Sequence, residues 1–168
     1  PDEPAVEFAL GEFYFLIGHY DEAIRYYFVL IKHGYTDFAK VDIAGRLGMC
    51  YAQSGQFKQA LGYLQQVKPE YRTSDIRFQT GLTELSLGQL DAAEKELSEL
   101  IEDDDQYASA YPALATALTK QHKYQQALKV AQEGLAVDQY NEQLYAQAAA
   151  IVSHLGNAKL MKKYLTKA

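Results

Sequence analysis

Four histidines, His19, His33, His122 and His154, and a single cysteine, Cys50, are the side chains here best suited to bind a metal or attack an electrophile. Their spacing supports neither. No Cys-x-x-Cys, His-Glu-x-x-His, Gly-x-Gly-x-x-Gly or lysine-bearing phosphate loop occurs, so metal, dinucleotide and nucleotide chemistry lack their sequence carriers. The histidines fall at helix ends or between helices, where imidazole satisfies backbone groups or faces water. His122 and His154 could become neighbours, but two histidines without a third ligand make a poor zinc site. Cys50 lies two places after Gly48 on a core-facing helix, with no histidine beside it in sequence, and reads as a small buried hydrophobe. The acid run Glu99, Glu102, Asp103, Asp104 and Asp105 offers hard oxygen ligands but lacks the alternation and glycine of a calcium loop. It reads as a solvated turn. Lys159, Lys162, Lys163 and Lys167 flank Leu160, Met161, Tyr164 and Leu165, a pattern expected of a solvated last helix rather than a membrane-surface one. We therefore expect no catalytic residue, no cofactor, no metal and no enzyme.

Internal repetition organises the chain. Gly18-His19-Tyr20 with Ala23 recurs as Gly55-Gln56-Phe57 with Ala60, then as Gly88-Gln89-Leu90 with Ala93. His122-Lys123-Tyr124 with Ala127 follows, then Gly156-Asn157-Ala158 with Met161, at intervals of 37, 33, 34 and 34 residues. A second signature sits upstream: Leu10-Gly11 with Tyr14, Leu47-Gly48 with Tyr51, Gly81, and Leu114-Ala115 with Leu118. Between turns the apolar residues keep helical spacing, as in Tyr20, Ala23, Ile24, Tyr27, Phe28 and Ile31. Each turn glycine marks the junction of two antiparallel helices, and the small residues mark close helix crossings. A lone pair cannot bury its apolar face, so the pairs must stack.

These residues resemble the tetratricopeptide repeat, bacterial multi-repeat type, whose pattern runs W-x2-L-G-x2-Y, A-x3-F, P. The tryptophan place is held by Glu7, Ala44, Tyr111 and Tyr145, and Pro69 lies three places early for a closing proline. The resemblance implies an all-α, right-handed α-solenoid of about five repeats. We expect a single domain over 1–168, with repeats at about 4–37, 41–72, 74–107, 108–141 and 142–168, excised from a longer protein. Helices are expected at 4–17 with 20–33, 38–54 with 56–67, 74–87 with 90–102, 109–121 with 124–137, and 141–154 with 157–167. The 37-residue interval implies about three extra residues around Gly34 to Lys40, in a longer turn. Ser74 and Asn141 read as helix N-caps, and Pro112 must lie in an early turn.

Composition narrows the partners. The 16 Lys and Arg against 22 Asp and Glu give a net charge of −6, and no basic block offers a nucleic-acid footprint. The longest wholly apolar run, Tyr26 to Ile31, is far short of the about 20 residues that span a bilayer. One cysteine fits a reducing compartment, and a cytoplasmic location is expected. All seven phenylalanines lie in the first 80 residues, with eight of the 14 tyrosines, so some rings are free to face a partner.

In proteins of the resembled family the first helix of each repeat lines a concave groove. Counting along those helices gives Phe8, Glu12 and Phe15; Asp42, Gly45 and Met49; Phe78, Leu82 and Leu85; then Pro112, Thr116 and Thr119. The partner-binding set expected here is Phe8, Glu12, Phe15, Asp42, Met49, Phe78, Leu82 and Leu85. Family members that clamp a terminal carboxylate use Lys, Asn and Arg at inner positions held here by Glu12, Met49 and Leu82, so no such clamp is expected. The function implied is a non-enzymatic scaffold that docks an apolar or amphipathic peptide or helix, with Glu12 and Asp42 favouring a basic flank. The alternatives are a peptide-sensing regulatory domain of a larger bacterial protein and an envelope assembly factor. A neighbouring segment of the same chain could also fill the groove, several rings could be core, and self-association through the C-terminal repeat stays open.

Overall fold

The computed structural model describes residues 3–168, which divide into two compact units, one ending at Leu87 and the other running Gly88–Ala168. The first unit holds α1 (Glu3–Leu16), α2 (Tyr20–Lys32), a two-stranded antiparallel hairpin of β1 (Asp37–Phe38) and β2 (Val41–Asp42), α3 (Ile43–Gln53), α4 (Phe57–Leu64) and α5 (Ser74–Ser86). A short 3-10 turn at Pro69–Tyr71 separates α4 from α5. The second unit holds α6 (Leu90–Asp103), α7 (Ala110–Lys120), α8 (Tyr124–Val137), α9 (Glu142–His154) and α10 (Ala158–Leu165). Within each unit, every helix packs on its sequence neighbours.

The inter-helix turns share one geometry. After α3, Gly55 takes a φ of +74°, and Gln56 N–H reaches back to Tyr51 C=O at 2.8 Å, closing the helix end. The turn after α7 keeps that shape without glycine: His122 holds φ at +61°, Lys123 N–H bonds Leu118 C=O at 2.9 Å, and His122 Nδ1 lies 2.8 Å from the Tyr124 hydroxyl. A left-handed backbone costs a residue with a Cβ about 1–2 kcal/mol, which that local network helps offset.

The extra residues of the second interval build the hairpin. Helical spacing predicts a helix from 38, but Ala39 and Lys40 adopt φ of +49° and +64°, the paired left-handed geometry of a tight two-residue hairpin turn. The helix instead starts at Ile43, where the Asp42 carboxylate accepts Gly45 N–H at 2.9 Å. Lys68 fastens the hairpin through Asp37 at 2.8 Å and Thr36 at 3.2 Å. The cap of α5 is Thr73, accepting Ile76 N–H, and not Ser74; Asn141 caps α9 through Leu144 N–H as expected. Helix α4 stops at Leu64, three residues early, where the chain turns toward Pro69.

The first unit's core joins Ala23, Ile24, Tyr27 and Leu30 of α2 to Ile43, Leu47 and Cys50 of α3. A second cluster joins Leu64 and Val67 to Ile76 of α5. Glycine lets the paired helices touch: a Cβ on Gly48 would fall 2.6 Å from Leu64 Cγ, and one on Gly11 would fall 2.8 Å from the Tyr27 ring.

In the second unit Glu94 of α6 receives Lys123 Nζ at 2.7 Å and Gln121 Nε2 at 2.7 Å. The lysine bond, chiefly, holds the Glu94 carboxyl below its usual value of 4.5. A carboxyl depressed in the folded state adds stability above its unfolded value and loses it as pH falls through the folded one. The melting-temperature advantage of the parent chain over Glu94→Gln should therefore shrink between pH about 6 and about 3. An advantage that stays constant across that range would refute this coupling.

Candidate functional site

The inner side of the first unit is organised around a charge that is already neutralised. Glu12 of α1 meets Arg46 of α3 in a two-pronged pair, Nε to Oε1 at 2.7 Å and Nη2 to Oε2 at 2.8 Å. The Tyr27 hydroxyl donates to the same Glu12 Oε1 at 2.6 Å. Burial and this carboxylate bond push the Tyr27 phenol well above its ordinary value. The Arg46 guanidinium also lies over the Phe15 ring at 4.8 Å, a cation–π contact. Glu12, Phe15, Tyr27 and Arg46 thus tie the first helices of two repeats together. Asp42 is spent as a helix cap. Neither carboxylate offers a free charge, so the expected basic flank loses its cause.

Beside this cluster, α3, the hairpin and the start of α5 enclose a cleft of about 240 Å³. Met49, Val41, Ile76 and the Tyr71 ring give it an apolar wall, while Lys40, Arg46, Thr73 and Asp75 supply polar groups. Met49 also packs on the Leu64, Val67 and Ile76 cluster. A volume of that size suits one or two side chains rather than a cofactor. Of the residues read from sequence, Asp42, Gly45 and Met49 line this cleft. Phe8 packs on Phe38 with tilted rings 5.0 Å apart, half-buried beside the core; Phe15 packs on Tyr20 as well as Arg46. Phe78 and Leu82 are half-buried on α5, and Leu85 is buried. In the second unit Thr116 accepts from Gln147 at 2.7 Å, so this part of the inner row serves α7–α9 packing.

Arg46, Lys40 and Tyr71 were not read from sequence. For Arg46 a signal existed: an acid at position 12 and a base 34 residues later lie on first helices of adjacent repeats. Lys40 and Tyr71 sit on irregular backbone whose placement no helical count supplies.

The other reactive side chains sit as follows. Cys50 is fully buried, and burial pushes its thiol up to about 12, far from a nucleophile's range. His154 stacks on Tyr124 at 4.6 Å, and His122 flanks the same ring. Among the described residues, no three His, Cys, Asp or Glu are grouped to hold a metal. In the acid run, Asp105 C=O accepts the Tyr111 hydroxyl at 2.8 Å, and Glu99 faces Lys95 at 3.9 Å. No described helix is long and apolar enough to cross a membrane.

Comparison with known proteins adds four likenesses. Residues 1–35 match the family model described as YpiA-like, tetratricopeptide repeats. The chain is 34% identical over 167 residues to the TPR repeat-containing protein YpiA of Bacillus subtilis (strain 168), covering 99% of this chain and 39% of that relative. It therefore spans well under half the length of the relative it matches. Among solved structures, MamA residues 41 to the end from Desulfovibrio magneticus RS-1 superpose with a TM-score of 0.90 at 17% identity, covering 99% of this chain and 93% of that one. YrrB, described as a TPR protein with an unusual peptide-binding site, superposes at 0.79 and 14% identity, covering 96% of this chain and 82% of that one. The fold is that of an all-α repeat solenoid.

Proposed function

Because the chain belongs to the tetratricopeptide-repeat family, we propose that it works as a non-enzymatic docking scaffold whose first unit seats an apolar side chain of a peptide or helix in the cleft beside Met49. The observation that carries this reading is the pairing of an apolar wall with inner carboxylates that are already satisfied. Glu12 is held by Arg46 and Tyr27 and Asp42 by the α3 N-terminus, so an entering apolar group strips water from no unpaired carboxylate there. The rim carries both signs, through Lys40 and Asp75, and suits the alternating groups of a peptide backbone better than one strongly charged ligand. YrrB's described peptide-binding site supports the same kind of work on this fold. In this reading Phe8, Phe15, Phe78, Leu82 and Leu85, half-buried or buried on α1 and α5, are assigned to the same docking face.

Selection of binders from a displayed random-peptide library, followed by fluorescence anisotropy on the winners, tests this. Burying one apolar side chain contributes roughly 1.5–3 kcal/mol, so Met49→Glu should weaken binding by about tenfold to a hundredfold. Glu94→Gln, in the other unit, should leave it unchanged. Peptides that bind Met49→Glu as well as the parent, or a selection that returns none, would remove the cleft as the docking site.

A further inference from the structure

Setting the five repeats in register by their turns assigns each position on a first helix four counterparts. Val6 of α1 recurs as Ile43, Ile76, Ala110 and Leu144, and Phe13 recurs as Cys50, Thr83, Ala117 and Ile151. All eight counterparts are buried. Each stands on a helix that packs against the second helix of the repeat before it: α3 on α2, α5 on α4, α7 on α6, α9 on α8. In α1 the same two positions are 43% and 54% exposed, with Leu10 half-buried between them. A helix as apolar as α1, with large side chains turned outward, is built to be covered.

We propose that this α1 face seats the second helix of a further repeat lying just before residue 3 in the same polypeptide. The matched relative is more than twice the length of this chain, which covers 39% of it, so a polypeptide of that length has room for further repeats beyond the matched span. The existing interfaces describe the occupant. Val67, after α4, packs on Ile76 of α5, and a Cβ on Gly134 of α8 would fall 2.7 Å from Leu144 Cδ2 of α9. Val67 and Gly134 share one register position, twelve residues after their turns, and Ile76 and Leu144 are counterparts of Val6, so the occupant meets Val6 with its residue at that position.

The existing links from a second helix to the next first helix leave between four residues (138–141) and ten residues (33–42). The occupant should end within that distance of Glu3.

The test extends the chain upstream by the roughly 40 residues its gene encodes there, somewhat more than one repeat period. Hydrogen exchange of α1 amides should slow by about tenfold or more relative to residues 1–168 alone. Phe13→Glu should abolish that protection in the extended chain, yet leave the melting temperature of the 168-residue chain within about 1 °C, because Phe13 is exposed there. Three results would overturn the proposal: an upstream sequence with no amphipathic helix, unchanged α1 exchange on extension, or a 168-residue chain that dimerises with α1 already protected.

Discussion

Gly48→Val should unfold the first unit about 6–12 °C below the parent chain, from a loss of about 3 kcal/mol at 2–4 °C per kcal/mol for a chain of this size. The β-carbon alone would fall 2.6 Å from Leu64 Cγ, 2.8 Å from Leu64 Cδ2 and 3.1 Å from the Leu64 backbone nitrogen. Leu64 is fully buried and cannot swing aside, so α4 must move off α3 as a body. Replacing a helical glycine normally improves helix formation by up to about 1 kcal/mol, and here the clash outweighs that gain. Gly62, two residues from Leu64 on the exposed side of α4, gives the control, since nothing lies within 4 Å of its absent Cβ. Gly62→Ala should raise stability by about 0.4–1 kcal/mol. Calorimetry on both variants decides the matter; a Gly48→Val chain that melts with the parent would mean the α3–α4 crossing is not packed as described.

Arg46→Ala should cost about 3 kcal/mol and should cost more than removing the whole ion pair. Arg46 and Glu12 are each about three-quarters buried at the side chain, with 25% and 22% exposed. Taking away the guanidinium leaves the Glu12 carboxylate with the Tyr27 hydroxyl as its remaining bond, and also strips the cation from the Phe15 ring. An isolated, largely buried charge is the expensive state; a neutral, well-shaped pair is not. The double variant Glu12→Gln, Arg46→Met should therefore recover at least half of the single variant's loss in urea titrations. A double variant that is less stable by the sum of both single losses would show the two residues acting independently.

The inter-helix turns were legible because glycines and apolar spacing are local features of the chain. Helix ends were legible where the cap is a lone residue of the right type, as at Asn141, and missed where two candidates adjoin, as at Thr73 and Ser74. The hairpin was hidden because Phe38 and Ile43 continue an apolar rhythm, while Ala39 and Lys40 are not residue types that announce a left-handed turn. Of the cleft, Asp42, Gly45 and Met49 could be counted along a helix. The fate of the charges could not, since whether Glu12 faces a ligand or Arg46 depends on a contact between repeats. Asp42 shows the same limit at shorter range: an acid just before a glycine-containing helix serves as a groove residue or as a cap according to where the helix starts.

Because each close helix crossing is sized by its own pair of residues, the repeats are not interchangeable modules. Leu144 lies where a Cβ on Gly134 would fall 2.7 Å from it, and the first repeat carries Leu30 at the Gly134 position, so joining α2 directly to α9 would drive Leu30 onto Leu144. Sequence order is thereby written into volumes as well as into the chain. A duplicated or deleted repeat survives such recombination only if residues on both flanks change with it, and for this protein that makes growth by repeat gain a two-sided problem.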